Sequence, residues 1–433
     1  MGEKINRELF QEIKYEFLEK IAFALITIFT VNPFIRVLFG GLFDYSFLMG
    51  GHNRCVLLIG TPIFLLYFVK LRTEEKLPHL NVLLKRHVPV TLLLLFGVLM
   101  VATTLLNGAP YIAIQGDMYR QEGLLGFLSY LVYFMITAFM LSEKRKKVVA
   151  YLFLISSTLV GMVIFVDYVF LNQTYNYATG ADMVMHNSNH LGYYLLISIM
   201  FHGMLFVTTG KVWRKVLHIA GFMLMTAALL MNNTWGCQLA LVVGVIFTMI
   251  VYSVGTGKFQ PITLGLVLAM TLTVTLTYVT DDGLKASMEL NVQQQLEATE
   301  DLLNGDGMLD GSMGSGRMRL WLCTLQYIGE RPLLGHGPEV TGERLTLEAG
   351  VDRCHCEFLN YAVSFGIPAT MVYVVAVFMM YLRGLHKKKQ LTELNYVGLG
   401  VAFAYLASSA FGNTMYYTAP FLFIALGMGY LKD

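Results

Sequence analysis

Charge is scarce in this chain: only 14% of its 433 residues are Asp, Glu, Lys or Arg, against 56% hydrophobic. That is too little polar surface to cover a soluble globule of this size, so a water-soluble fold is excluded and the chain reads as an integral membrane protein. Cysteines are few and odd in number, five in all, so a fully paired disulfide framework within one chain is excluded. Cys354 and Cys356 stand too close in sequence for an easy mutual bridge. They flank His355, but no separate cluster of ligands accompanies them, and no metal centre is expected. No basic stripe interleaved with aromatics is present and the net charge is only +2, so no nucleic-acid partner is expected. The absence of repeats and low-complexity linkers points to a single polytopic membrane domain over 1–433. No small-residue cleavage site follows the first apolar run, so no cleavable signal peptide is expected. The stretch INRELFQEIKYEFLEKI reads instead as an interfacial helix leading into the first span.

What is present is apolar sequence in long runs. The mean hydropathy is +0.58. Twelve runs are long enough, or nearly so, to cross a bilayer: about 21–42, 55–71, 88–106, 124–141, 148–171, 191–209, 216–232, 237–254, 262–279, 357–382, 396–411 and 418–431. The expected fold is an all-α integral membrane protein of about twelve transmembrane helices, with a large extracytoplasmic loop containing short helices between spans nine and ten. Cytoplasmic loops collect Lys and Arg, which tests the threading. With the N-terminus inside, Lys14, Lys20, Arg72, Lys85, Arg86, the KRKK run from Lys144, Lys211, Arg214, Lys215, Lys258, the KKK run from Lys387 and Lys432 all fall on one side. Both termini are then cytoplasmic, and the charged segment 280–356 faces outward as a loop subdomain.

That segment gathers the chemistry. Its first part reads as an amphipathic helix through about Asn304, followed by a glycine-rich stretch. The piece NGDGMLDG lacks an acid or amide at the fifth position that a calcium loop needs, so it reads as a turn. A second helix is expected from about Arg317 to Glu330, ended by Pro332 and followed by a turn on Gly335 and Gly337. Arg317 and Arg319 fall in its first turn, where cations oppose the helix dipole; either they serve an anion or they are solvated surface arginines. His355 precedes span ten beside Arg353 and two residues before Glu357, which fits a tuned general base or an interface anchor. Other outer turns add Arg120 and Glu122, then His186, Asn187, Asn189 and His190, then Asn232, Asn233 and Trp235. Asp167 and Arg36 lie within spans five and one. Intramembrane charges are functional candidates, and snorkelling to the interface is the cheaper explanation. Trp213, Tyr416 and Tyr417 fit interfacial aromatic belts, and the 25 methionines read as packing.

In order and spacing, GRMRLW, RPLLGHGPE and HCEFLNYAVSFGIPA resemble the bacterial O-antigen ligase and O-antigen polymerase superfamily, with NSNHLGYYL and YRQEGLL as further features. The resemblance covers most of the chain from about Gly116 to Leu382. Three positions depart from it: Cys356 replaces the usual asparagine after the loop histidine, Ala369 closes GIPA, and Thr234–Gly236 reads TWG where the family has an SRG arginine. The resemblance implies an inverting glycosyltransferase of the bacterial cytoplasmic (inner) membrane that needs no cofactor. Its donor would be a polyprenyl-diphosphate-linked glycan, and its acceptor a hydroxyl on a lipid, glycan or protein. Arg317, Arg319 and Arg120 would hold the donor diphosphate, and His355 would be the catalytic base. Glu357, Arg353, Asn189, His190 and Trp321 would support them. No D-x-D motif stands out in the outer loops, so arginines in place of a divalent cation are expected. A repeat-unit polymerase with the same donor chemistry stands beside the ligase. A transporter of lipid-linked sugars is the alternative of another class, although such proteins place polar sites near the midplane and often carry repeated halves.

Overall fold

Backbone polar groups in a bilayer must be satisfied within the segment, and this chain meets that constraint with helices alone. The computed structural model describes residues 13–39, 45–179, 184–185, 187–304, 317–412 and 415–432, and among these no strand occurs. His186, the glycine-rich stretch at 305–316 and the first residues of the expected N-terminal helix lie outside them.

The apolar helices are α1 (Tyr15–Phe39), α2 (Tyr45–Cys55, continued by a π turn into Thr61–Thr73), α4 (Val88–Leu106), α6 (Leu124–Met135, extended by a π turn to Met140), α7 (Glu143–Phe170), α8 (Ser188–Thr208), α9 (Val212–Asn232), α10 (Trp235–Thr256), α11 (Leu264–Thr280), α16 (Ile367–His386), α17 (Glu393–Ser409) and α18 (Ala419–Gly429). Between them come the short α3 (Leu80–Arg86) and α5 (Tyr111–Gln115), and the loop helices α12 (Asp282–Asn304), α13 (Arg317–Glu330), α14 (Gly342–Ala349) and α15 (Glu357–Phe365). The helix expected at Arg317–Glu330 forms over those residues, and the amphipathic helix ends at Asn304 as expected.

Among the described residues, nine helices are long and apolar enough to cross a membrane. The runs at Leu124–Met140 and Ala419–Gly429 are apolar but shorter, and α17 has 17 residues. The tenth run differs from its expected form as one helix over 357–382. Gly366, at φ +86°, breaks it into α15 and α16, and Pro368, lacking an N–H, suits the first turn of the new helix.

At the centre stands α8, with 94% of its span buried, as a helix apolar on every side must be. It packs on α9, α10 and α17, while α18 lies on α17 and α16 on α4. Alternating helix directions bring the α4–α6, α7–α8, α9–α10, α11–α15 and α17–α18 connections to one end of the bundle.

At that end two glycine turns interlock. His336 N donates to Val363 O (2.7 Å), Gly337 N to Ser364 O (2.9 Å) and Ile367 N to Pro332 O (2.8 Å). A Cβ on Gly366 would meet Leu333 O at 2.2 Å, and one on Gly335 (φ +63°) would meet Ser364 C at 2.5 Å, so the two backbones touch where side chains would stand. Gly366→Ala is expected to cost about 1–3 kcal/mol by overpacking. A lowered thermal unfolding midpoint of the detergent-purified protein checks it.

Candidate functional site

This end of the bundle is held by an arginine with almost no contact with solvent. Arg353 is 5% exposed. Its Nη1 donates to Glu122 Oε2, and its Nη2 to Glu339 Oε1 at 2.8 Å. The planar guanidinium offers five donors in a fixed fork, which lets one arginine hold two carboxylates. Glu122 also accepts from Tyr130 Oη (2.7 Å), and Glu339 from the N–H groups of Asp117 (2.5 Å) and Glu122 (2.8 Å). One cluster therefore ties together the turn before α6, the glycine turn after α13 and the loop leading into α15. Burial pushes both carboxyls up, and the Arg353 charge works against that rise. For Arg353 burial alone would favour the neutral form, and the two carboxylates more than reverse it.

A second pair pegs the same loop. Arg120 grips Asp352 with both edges of its fork, Nε to Oδ2 at 2.7 Å and Nη2 to Oδ1 at 2.6 Å, while Nη1 faces Met415 Sδ at 3.0 Å. Burial would raise the Asp352 carboxyl, but the Arg120 hydrogen bonds and charge prevail and hold it below the usual aspartate range. Asp117 Oδ1 accepts from the N–H groups of Tyr119 (2.5 Å) and Arg120 (2.6 Å), closing the turn from which Arg120 projects.

Two pegs, at 352 and 353, thus precede His355. Its backbone is left-handed, φ +51°, a region non-glycine residues seldom occupy, and its neighbours Cys354 and Cys356 are buried. Cys354 Sγ donates to Cys356 O at 3.1 Å. Among the described residues the imidazole has no hydrogen-bond partner. Burial first, then the charges of Arg317 and Arg120, push its pKa down to about 4, with Asp352 opposing. At neutral pH the ring is therefore uncharged, with a lone pair free to accept a proton. The tuning expected from Glu357 does not come through a hydrogen bond to this ring. Buried Glu357 accepts from Tyr361 Oη at 2.6 Å, in the aromatic layer beneath.

Arg317 opens α13 and borders an apolar cavity of about 550 Å³ between α9, α10, α11 and α12. Among the described residues it has no ion-pair partner, and burial lowers its pKa. Trp321, one helical turn on, lines the same cavity, and its buried Nε1 is unbonded among the described residues. Arg319 is exposed and does not line the cavity. His190 is buried on α8 with its ring 5.3 Å from that of Tyr417. Asn187 caps α8 by accepting from Asn189 N (2.8 Å).

Several other candidates have structural duties. Asp167 accepts from Tyr175 N (2.9 Å) and Tyr177 N (3.0 Å), shaping the loop after α7. Asn232 donates to Ala178 O (2.7 Å), and Asn233 to Ser287 Oγ (2.8 Å) at the foot of α12. Sequence reasoning passed over Glu339 and Asp352; the alternation of acid and base in Asp352–Arg353, and the acid closing RPLLGHGPE, were the signals available. Among the described residues no group of three or more His, Cys, Asp or Glu side chains is placed to hold a metal ion.

Residues 220–374 match the family model of O-antigen ligase. The match supports the O-antigen ligase superfamily. No curated protein matches the chain. The matched residues include Arg317, Arg319, Trp321, Glu339, Asp352, Arg353, His355 and Glu357, together with the interlocked glycine turns. Arg120, Glu122, Asn189, His190 and Tyr417 lie outside it, so the site is completed by helices beyond the matched residues. Multiple apolar helices and this match support a multi-pass membrane protein with a glycan-transfer function of the general O-antigen ligase or polymerase kind.

Arg353→Ala would strand two buried carboxylates, a change that typically costs about 3–5 kcal/mol. The expected outcome is a large fall in the thermal midpoint. Glu122→Gln, which keeps a hydrogen-bonding group, should cost clearly less.

Proposed function

We propose that this protein transfers a glycan from a polyprenyl-diphosphate carrier to an acceptor hydroxyl at the outer face of the cytoplasmic membrane, with inversion at the anomeric carbon. The observation that carries this reading is the pairing of Arg317, half-buried and lacking a counter-ion among the described residues at the edge of an apolar cavity, with a neutral histidine lacking a hydrogen-bond partner. An amphiphile with a long apolar tail and a diphosphate head has the shape and charge that this juxtaposition suits. The tail would lie against Leu230, Leu239, Val242 and Met270 of the cavity wall, and the diphosphate against Arg317. Arg319 would meet the outer phosphate from the exposed face of α13. Arg120, its fork spent on Asp352, would act on the donor through its charge while holding the His355 loop.

In the reaction His355 takes the proton of the acceptor hydroxyl as its oxygen attacks the anomeric carbon. The bond from that carbon to the diphosphate oxygen breaks, and the electron pair leaves with the polyprenyl diphosphate. Arg317 and Arg319 stabilise the charge gathering there, as preorganised donors in a water-poor site do. No divalent cation enters this scheme. Confinement of both partners to the membrane plane supplies the proximity. Arg353, Glu357, Asn189, His190 and Trp321 are positioning residues in this reading. A polymerase joining repeat units would use the same steps with a polyprenyl-linked acceptor.

The test is transfer by the reconstituted protein from a polyprenyl-diphosphate glycan to membrane-extracted acceptors, with and without a chelator. His355→Ala should lower the rate by about 10²–10⁴-fold, and Arg317→Ala by about 10²–10³-fold, with the fold retained by circular dichroism. Ladders of long lipid-linked product would mark a polymerase. Normal transfer by either folded variant, or movement of donor across liposomes with no new glycosidic bond, overturns the reading.

A pH profile adds a separate check. The base works only while neutral, so activity is present above the imidazole pKa and lost as pH falls through it. In the empty site that pKa is about 4. A bound diphosphate offsets Arg317 and Arg120, which raises it. The acid limb of kcat is therefore expected at higher pH than that of kcat/KM, and coincident limbs would contradict the role given to the arginines.

A further inference from the structure

A cleft of about 700 Å³ opens between α7, α8 and α9 toward the other end of the bundle. His190 marks the outer end of α8; from position 190 to His202, in the cleft, is about 18 Å of helix. Ile155, Leu159, Met162, Leu217 and Leu224 make its walls. Ile155 and Leu217 are 58% and 59% exposed on helices of membrane-spanning length, so the cleft faces lipid. From Trp213 at its mouth to Leu224 is about 17 Å along α9, close to half of a hydrocarbon core about 30 Å thick. The cleft has the depth of one leaflet.

Its two ends differ in chemistry. At the mouth the Arg214 guanidinium sits 5.3 Å from the Trp213 ring, in a cation and aromatic pair, and Lys211 and Lys215 stand three positions before it and one after it in sequence. Among the described residues none of these three cations has a carboxylate partner. Deeper lie two histidines, His202 (5% exposed) and His218 (8% exposed), with their Nδ1 atoms 3.5 Å apart. Thr158 Oγ1 donates to Leu154 O (2.6 Å), so it accepts from His202 Nε2 at 3.0 Å. That leaves His202 Nδ1 as an acceptor facing His218 Nδ1, which must donate. His218 Nε2 then carries a free lone pair, and among the described residues nothing donates to it. Gly221 makes the arrangement possible, since a Cβ there would meet His202 Cε1 at 2.2 Å.

We propose that this cleft binds an anionic glycerophospholipid from the leaflet opposite the His355 site. Its phosphate sits at Arg214 and Lys211, and one acyl chain lies along Ile155, Leu159 and Met162. Charge selects this occupant: an uncompensated basic rim above an apolar slot favours an anionic head over a zwitterionic one, as basic pockets between membrane helices do. The proposal is independent of the transfer reaction, since no group of that site takes part.

The experiment measures lipid binding to the full-length protein in detergent, by quenching of tryptophan fluorescence with phosphatidylglycerol or phosphatidylcholine brominated on the acyl chain. Trp213 lies at this cleft, whereas Trp235 and Trp321 border the cavity at the opposite end. The component lost in Trp213→Phe therefore reports the cleft. Phosphatidylglycerol is expected to quench that component with an apparent affinity about five-fold tighter per basic residue engaged than phosphatidylcholine. Arg214→Ala with Lys211→Ala should abolish the difference. Ile155→Trp, read as displacement of bound brominated lipid in native mass spectra, should weaken binding by filling the slot with the charges intact. Inorganic phosphate should not compete. Equal quenching by the two lipids, a preference that survives the double variant, undiminished binding to Ile155→Trp, or competition by inorganic phosphate overturns the proposal.

Discussion

Burying one guanidinium between two carboxylates is the constraint on which the His355 end of this protein depends. Taking Arg353, Glu122 and Glu339 out of water costs several kcal/mol per ion, and their mutual attraction offsets that cost only in one geometry. The demand for that geometry couples three loops that share no secondary structure. Each carboxylate is satisfied further, Glu122 by Tyr130 and Glu339 by two backbone N–H groups. With the loops joined, the backbone two residues later can be held in the left-handed conformation that presents His355.

The arginines at this end divide their labour. Arg353 and Arg120 are consumed by carboxylates of the chain itself, whereas Arg317 has no such partner among the described residues. Both kinds act on His355, because charge reaches across a poorly solvated site even where a hydrogen bond does not. Burial first, and the surplus of positive field after it, keep the imidazole neutral. The substitution of TWG for the family's arginine fits this economy of cations: Thr234 bonds to Asn232 Oδ1 (2.6 Å) and Ser188 O (3.2 Å), and Trp235 becomes a wall of the apolar cavity.

The motif pair RPLLGHGPE and FGIPA owes its form to backbone contact. Gly335 and Gly366 stand where the turn after α13 and the break before α16 press together, and Pro332 supplies the carbonyl that Ile367 N needs. Glu339, two residues past the turn, is carried directly to Arg353. These motifs build the platform for the histidine.

The sequence by itself determined that this is a helical membrane protein, where its apolar runs lie and that helices would form at Asp282–Asn304 and Arg317–Glu330, because hydrophobic length, helix breakers and periodicity are local properties of a chain. It also placed His355 and Arg317 on one outer segment. Only the tertiary structure decided which charges are partners. Glu122 and Arg353 are 231 positions apart, as Arg120 and Asp352 are 232 apart, and ionic pairing over such separations leaves no local pattern to read. Asp167, suspicious as an intramembrane acid, proved to be a loop cap, and Glu357 faces Tyr361 because side-chain direction follows from packing. The break at Gly366 was hidden for the same reason: a glycine and a proline inside an apolar run are tolerated or decisive according to what packs against them, and here it is the carbonyl of Leu333.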